Sequence, residues 1–157
     1  MAIETEDEEP WMKRTIFLTS LTVLFFCFPT VYGQEISLES YISSFDYKER
    51  INMKTNSKQV VEWIKQGRAQ LVDIRFKEEY EAWRMGFAIN IPINELPERL
   101  NELKKDKIIV TACPHLDRAI IAMTYLKTKG FNVKYLTDGL VGMAEYLRGD
   151  RAREFVE

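Results

Sequence analysis

The run Lys107-Ile108-Ile109-Val110-Thr111-Ala112-Cys113-Pro114-His115-Leu116-Asp117-Arg118-Ala119-Ile120-Ile121 constrains this chain more than any other stretch. Ile108 to Thr111 is short and β-branched, which suits a strand buried in a parallel sheet. From Arg118 to Lys129 the apolar residues Ile120, Ile121, Tyr125 and Leu126, with Ala122 and Met123, recur at the spacing of a helix with one broad buried face. Gly130 closes that helix as a C-terminal cap. A six-residue loop from Cys113 to Arg118 is left between strand and helix.

This setting gives the loop a chemistry. Where a loop runs into a helix N-terminus, backbone N–H groups are free and the positive end of the helix dipole lies close by. A cysteine there ionises more readily, and the thiolate is the nucleophile. Arg118 adds a permanent positive charge at the far end of the loop. Taken alone, Cys113 reads as a small buried hydrophobe. The strand–cysteine–loop–arginine–helix order favours a nucleophile.

Several separated pieces of the chain, from about Ser57 to Gly149, resemble the rhodanese-like sulfurtransferases. Leu71-Val72-Asp73-Ile74-Arg75, followed by Glu78-Glu79-Tyr80, is similar to the family's first core strand and the helix after it. Gly86-Phe87-Ala88-Ile89-Asn90-Ile91-Pro92 resembles its next strand. Cys113 to Arg118 falls where the family carries its active-site loop. Gly130-Phe131-Asn132-Val133 and Leu136-Thr137-Asp138-Gly139-Leu140 resemble its last strand and turn. The resemblance implies an α/β fold with a mainly parallel central sheet flanked by helices. It also implies a catalytic Cys113, with Pro114, His115, Leu116, Asp117 and Arg118 as the substrate-binding loop. Asp73 and Arg75 would support that loop. Arg84 stands where the family commonly has a histidine.

The remaining elements follow from pattern. Ser57 reads as the N-cap of a helix through Gln66, with Val60, Val61 and Ile64 on one face and Gly67 ending it. Ala69 to Ile74 reads as a strand, and Phe76 to Trp83 as a short helix with Tyr80 and Trp83 inward. Ala88 to Ile91 is a strand that Pro92 stops. Pro97 opens a helix to Lys104 with Leu96, Leu100 and Leu103 as its stripe. Val133 to Leu136 is the last strand, and Leu140 to Leu147 a helix. Strands alternating with helices make a parallel α/β domain. In such sheets ligands bind beyond the carboxyl ends of the strands, so Asp73 and Arg75 face the same crevice as Cys113. They read best as an ion pair or hydrogen-bonded brace for the loops. Residues 34–56 form a polar arm over the 57–149 domain, and residues 150–157 a frayed tail.

The N-terminus divides in two. Residues 1 to 11 are acidic and have the composition of a disordered segment. Met12-Lys13-Arg14 then leads into the apolar stretch Ile16 to Phe28, followed by Pro29 and Val31-Tyr32-Gly33. A basic start, an apolar core and small residues at a cleavage point describe a signal peptide over residues 1–33. The acidic preface suggests a start at Met12. The competing reading is a membrane anchor over the 18 residues from Thr15 to Tyr32, at the short edge of a span. Either places Lys13 and Arg14 in the cytoplasm and the domain outside it, in the periplasm if the chain is exported. N-terminal sequencing of the mature protein separates the two readings.

Cleavage changes the inventory. Two of 22 basic and five of 24 acidic residues leave, so residues 34–157 carry 20 and 19, a net +1. Neither this nor the full chain's −2 suits general nucleic-acid binding. Cys27 leaves too, so Cys113 becomes the only thiol, and no internal disulfide can form. A solitary thiol in an oxidising compartment is a liability unless it is buried or used.

The expected chemistry is sulfur transfer. Cys113 takes the outer sulfur of thiosulfate, polysulfide or a persulfide and passes it to cyanide, a thiol or a partner protein. Loop N–H groups would hold the negative persulfide. The phosphatases that share the fold use a loop one residue longer, so the four residues between Cys113 and Arg118 favour sulfur over phosphate. Three features sit uneasily with this: Pro114 lacks an N–H, the loop has no glycine, and Asp117 is acidic. His115, the one histidine, reads equally as a proton carrier or as a solvent-facing residue. No cofactor is expected, and no second histidine or cysteine completes a metal site around Cys113. The rival classes are a rhodanese-like binding module without turnover and a redox-sensing thiol.

Overall fold

The computed structural model describes residues 33–157. Five strands, β1 Lys54–Thr55, β2 Ala69–Asp73, β3 Ile89–Asn90, β4 Ile108–Ala112 and β5 Val133–Leu136, form one parallel sheet in the order β1-β5-β4-β2-β3. Seven helices accompany it: α1 Leu38–Ser43, α2 Tyr47–Asn52, α3 Ser57–Lys65, α4 Lys77–Ala82, α5 Asp117–Thr128, α6 Gly139–Tyr146 and α7 Asp150–Val156. The signal-like stretch up to Tyr32, Cys27 and the candidate start at Met12 lie outside the described residues. Among the described residues, no helix is long and apolar enough to cross a membrane.

The central strands are apolar on both faces because helices cover both. Alternation along β4 divides its side chains between two cores. Ile109 and, just past the strand, Cys113 join Met123 and Leu126 of α5 and Val133 of β5. Val110 and Ala112 join Val60 of α3 with Leu140 and Met143 of α6. Thr111, fully buried, gives its hydroxyl to the Ala119 carbonyl at 2.9 Å, fixing the start of α5 against β4. The strand therefore aims Cys113 at α5.

Several elements differ from their sequence pattern. The cap of α3 is Asn56, whose side chain accepts from Gln59 N–H at 3.0 Å. Ser57 is the first helical residue, and its N–H reaches the Asp138 carboxylate at 3.1 and 3.2 Å. The helix expected over 97–104 is instead two single 3₁₀ turns, Leu96–Glu98 and Leu100–Glu102. Arg99 interrupts them, and it bridges Glu95 and Glu102. Two short turns bury Leu96 and Leu103 without a costly helix nucleus. Trp83, expected inward, is 39% exposed.

Residues 34–56 are more than an arm. They form α1, α2 and β1, and β1 extends the sheet beside β5. Tyr41 donates to Glu49 at 3.0 Å, and Glu49 pairs with Lys127 of α5. The tail, expected frayed, is α7, whose Phe155 ring packs 4.7 Å from that of Phe87.

The two cores set stability. Leu126→Ala, at a side chain with no exposure, should cost about 2–5 kcal/mol in chemical denaturation. Ile121, expected on the buried face of α5, is instead 61% exposed, and Ile121→Ala should change stability by less than about 0.5 kcal/mol.

Candidate functional site

Cys113 stands one residue beyond β4, at the carboxyl edge of the sheet. Its side chain has no exposure. Two elements grip the loop that follows. On one side the first turn of α6 donates backbone N–H bonds into it, Leu140 to the Cys113 carbonyl at 2.8 Å and Val141 to that of Pro114 at 3.4 Å. Gly139 makes this approach possible. Its φ is +61°, and a Cβ there would run into the Pro114 carbonyl oxygen and lie 2.6 Å from that of His115. On the other side the loop winds directly into α5, which begins at Asp117. The six-residue loop read from the sequence is thus four residues of loop and the first two of the helix.

The loop residues spread over a gradient of exposure. Pro114 is half-buried, while His115, Leu116 and Asp117 are exposed. Leu116 precedes α5 and offers no side-chain cap to its amides. Asp117 turns back toward the loop. The Cys113 thiol donates to its carboxylate, with 3.6 Å from Sγ to Oδ1. The backbone N–H of Arg118, and then Cys113, hold the Asp117 carboxyl below its ordinary range.

Arg118 is engaged elsewhere. Its two terminal nitrogens hold the Glu79 carboxylate in a fork, at 2.6 and 2.9 Å. The pairing lowers Glu79 and raises Arg118 from their ordinary pKa values. Glu79 also accepts from Phe76 N–H at 3.3 Å at the start of α4. The positive charge at the start of α5 is therefore already paired with a carboxylate.

Asp73 and Arg75 form a second, deeper pair. Asp73 lies across from Ala112 in the sheet, one residue from Cys113. Both side chains have no exposure. Arg75 Nε donates to Oδ1 and Oδ2 of Asp73 at 2.9 and 3.0 Å, Nη2 to Oδ2 at 2.6 Å, and the Arg75 backbone N–H to Oδ1 at 3.1 Å. Nη2 also reaches the Trp83 carbonyl, and the guanidinium sits 4.2 Å over the Trp83 ring. This explains the exposed tryptophan: one face covers the arginine. Nη1 is buried with no hydrogen-bond partner among the described residues. Asn90 ties the same corner together by donating to the Asp73 and Arg75 carbonyls. Arg84 is exposed, 5.5 Å over the Tyr80 ring.

Three participants escaped the sequence reading. Glu79 is 39 residues from its partner Arg118 in the chain, and no local spacing links them. The amides of Leu140 and Val141 carry no side-chain signal, although Asp138-Gly139 does mark the turn that presents them. Among the described residues no group of three His, Cys, Asp or Glu side chains could hold a metal ion.

The description "Rhodanese-like domain" matches residues 56–146, more than half of the chain, and these include every site residue above. The chain belongs to the rhodanese-like family. An HTH-type transcriptional regulator of Mycobacterium tuberculosis is 43% identical over 77 residues, 48% of this chain but only 34% of the regulator. An uncharacterized protein of Bacillus subtilis is 34% identical over 100 residues, 62% of this chain and 76% of that one. Thiosulfate sulfurtransferase from Pseudomonas aeruginosa shares the fold, with a TM-score of 0.56 at 24% identity over 65% of this chain and 20% of that chain. The family match and the shared fold agree with the five-stranded parallel sheet flanked by helices seen here.

The Asp73–Arg75 pair generates a test of the rhodanese-like scaffold. Asp73→Ala leaves a buried guanidinium unpaired and should destabilise the protein by about 3–5 kcal/mol in chemical denaturation. A loss under about 1 kcal/mol would show that water or a neighbour replaces the carboxylate.

Proposed function

We propose that the chain is a sulfurtransferase in which Cys113 carries a sulfane sulfur as a persulfide. The observation that supports this most is the position of Cys113, the one thiol among the described residues, at the carboxyl end of the central strand and beside the start of α5. In the first half-reaction the Cys113 thiolate attacks the outer sulfur of a donor, a new S–S bond forms, and the donor's remainder leaves with the electron pair of the broken bond. In the second, a thiophilic acceptor such as cyanide, a thiol or a partner protein takes the terminal sulfur and regenerates the thiolate. Backbone N–H groups of His115 and Leu116 and the positive end of α5 would stabilise the negative persulfide, the N–H of Arg118 being turned to the Asp117 carboxylate. The Asp73–Arg75 pair would hold the neighbouring strand end still.

A second reading has its own support. Cys113 has no exposure and Arg118 is already paired with Glu79, as in a binding module that holds a partner without turnover. Turnover decides between them. With a polysulfide donor and cyanide acceptor, the wild-type chain should release thiocyanate catalytically, and Cys113→Ser should lose at least about 10³-fold while staying folded. Equal rates in the two proteins, or none from wild type across several donors, would remove the sulfurtransferase.

A further inference from the structure

Two carboxylates crowd a site that the persulfide reading requires to accept anions. Asp117 Oδ1 is 3.6 Å from Cys113 Sγ. Glu79 occupies both terminal nitrogens of Arg118, at 2.6 and 2.9 Å. Pro114 has no N–H to offer. The charges nearest the thiol are thus a carboxylate and a compensated guanidinium.

Geometry makes this matter for the donor. The sulfur being transferred must come within a covalent S–S distance of Sγ, about 2 Å. The leaving group behind it then lies within a few ångströms of Asp117. At that range like charges repel, and a doubly charged leaving group is opposed twice as much as a singly charged one. The helix dipole, equivalent to about half a charge, does not offset a full carboxylate.

We propose that Asp117, with Glu79 holding Arg118, selects the sulfur donor: the site favours a sulfane sulfur whose leaving group carries one negative charge or none, and disfavours a dianionic leaving group such as sulfite. The inference rests on Cys113 being the sulfur carrier. Organic persulfides and organic thiosulfonates fit this class, and thiosulfate does not. With methanethiosulfonate the thiolate forms the new S–S bond and the bond to the sulfonyl sulfur breaks. Methanesulfinate leaves with the electron pair, and the proton of the Cys113 thiol passes to solvent. The sulfane sulfur moves without any external oxidant or reductant.

Methanethiosulfonate and thiosulfate have similar shape and differ by one charge, so they form the test. Rates of persulfide formation on the full-length protein are followed by intact mass for wild type, Asp117→Asn, Asp117→Glu and Glu79→Gln. Asp117→Asn should raise the thiosulfate-to-methanethiosulfonate rate ratio by about tenfold or more, and high salt should shrink that gain. Glu79→Gln, which releases Arg118, should raise the ratio in the same direction, and Asp117→Glu should keep it near that of wild type. The Glu79 variant decides the matter if Asp117→Asn does not fold. Ratios within twofold of wild type in every folded variant would overturn the donor selection while leaving the sulfur carrier intact. Failure of wild type to take sulfur from either donor would overturn both.

Discussion

Cys113 is fixed by the closeness of two turns at the carboxyl edge of the sheet, and a glycine permits that closeness. Gly139 presses against the carbonyls of Pro114 and His115 with a positive φ, so the first amides of α6 can reach the carbonyls of Cys113 and Pro114. A parallel sheet brings both turns to the same edge, because β4 and β5 are neighbours and run the same way. The carbonyls of Cys113 and Pro114 take their N–H partners from this contact. The clamp consumes acceptors of the loop and leaves its donors, the N–H groups, for the site. A helix start on one side and a helix start on the other thus hold a short loop that contains no glycine of its own.

Two ion pairs surround this loop, and they do different work. Asp73–Arg75 is dry, multiply hydrogen-bonded and covered by Trp83, so it fixes the end of β2 beside Cys113. A pair with no exposure is held by its geometry, since desolvation offsets much of the charge attraction. Glu79–Arg118 is partly exposed and joins α4 to the start of α5. It adds little to stability and cancels the positive charge that Arg118 would otherwise bring to the loop. With Asp117 beside the thiol and Arg118 already paired, the fixed side-chain charges around the loop are net negative instead of strongly positive.

Much of this was legible in the sequence because it follows local rules. Ile108 to Thr111, the apolar spacing of α5 and the positive-φ Gly130 each signal their element without help from the fold. The run of residues from Cys113 to Arg118 falls in one loop and helix start for the same reason. What the pattern missed is tertiary. Pro97 and the Leu96, Leu100, Leu103 spacing suit a helix, yet the chain takes two 3₁₀ turns that suffice to bury Leu96 and Leu103. Lys54-Thr55 is too short to signal a strand and becomes one only because β5 offers an edge. Trp83 is exposed on account of Arg75, eight residues away, and Arg118 is compensated by a glutamate on another helix. Sequence spacing locates side chains on an element and says little about which distant charge will meet them.

The proposed role of Cys113 is to hold a transferable sulfur atom. Its most direct test is peptide mapping by mass spectrometry of the full-length protein after brief exposure to polysulfide, with and without later cyanide. A sulfur-carrying Cys113 should gain one sulfur atom on the peptide that contains it and lose that atom on cyanide treatment. Added sulfur elsewhere in the chain, or none on Cys113 while it remains open to alkylation, would contradict it.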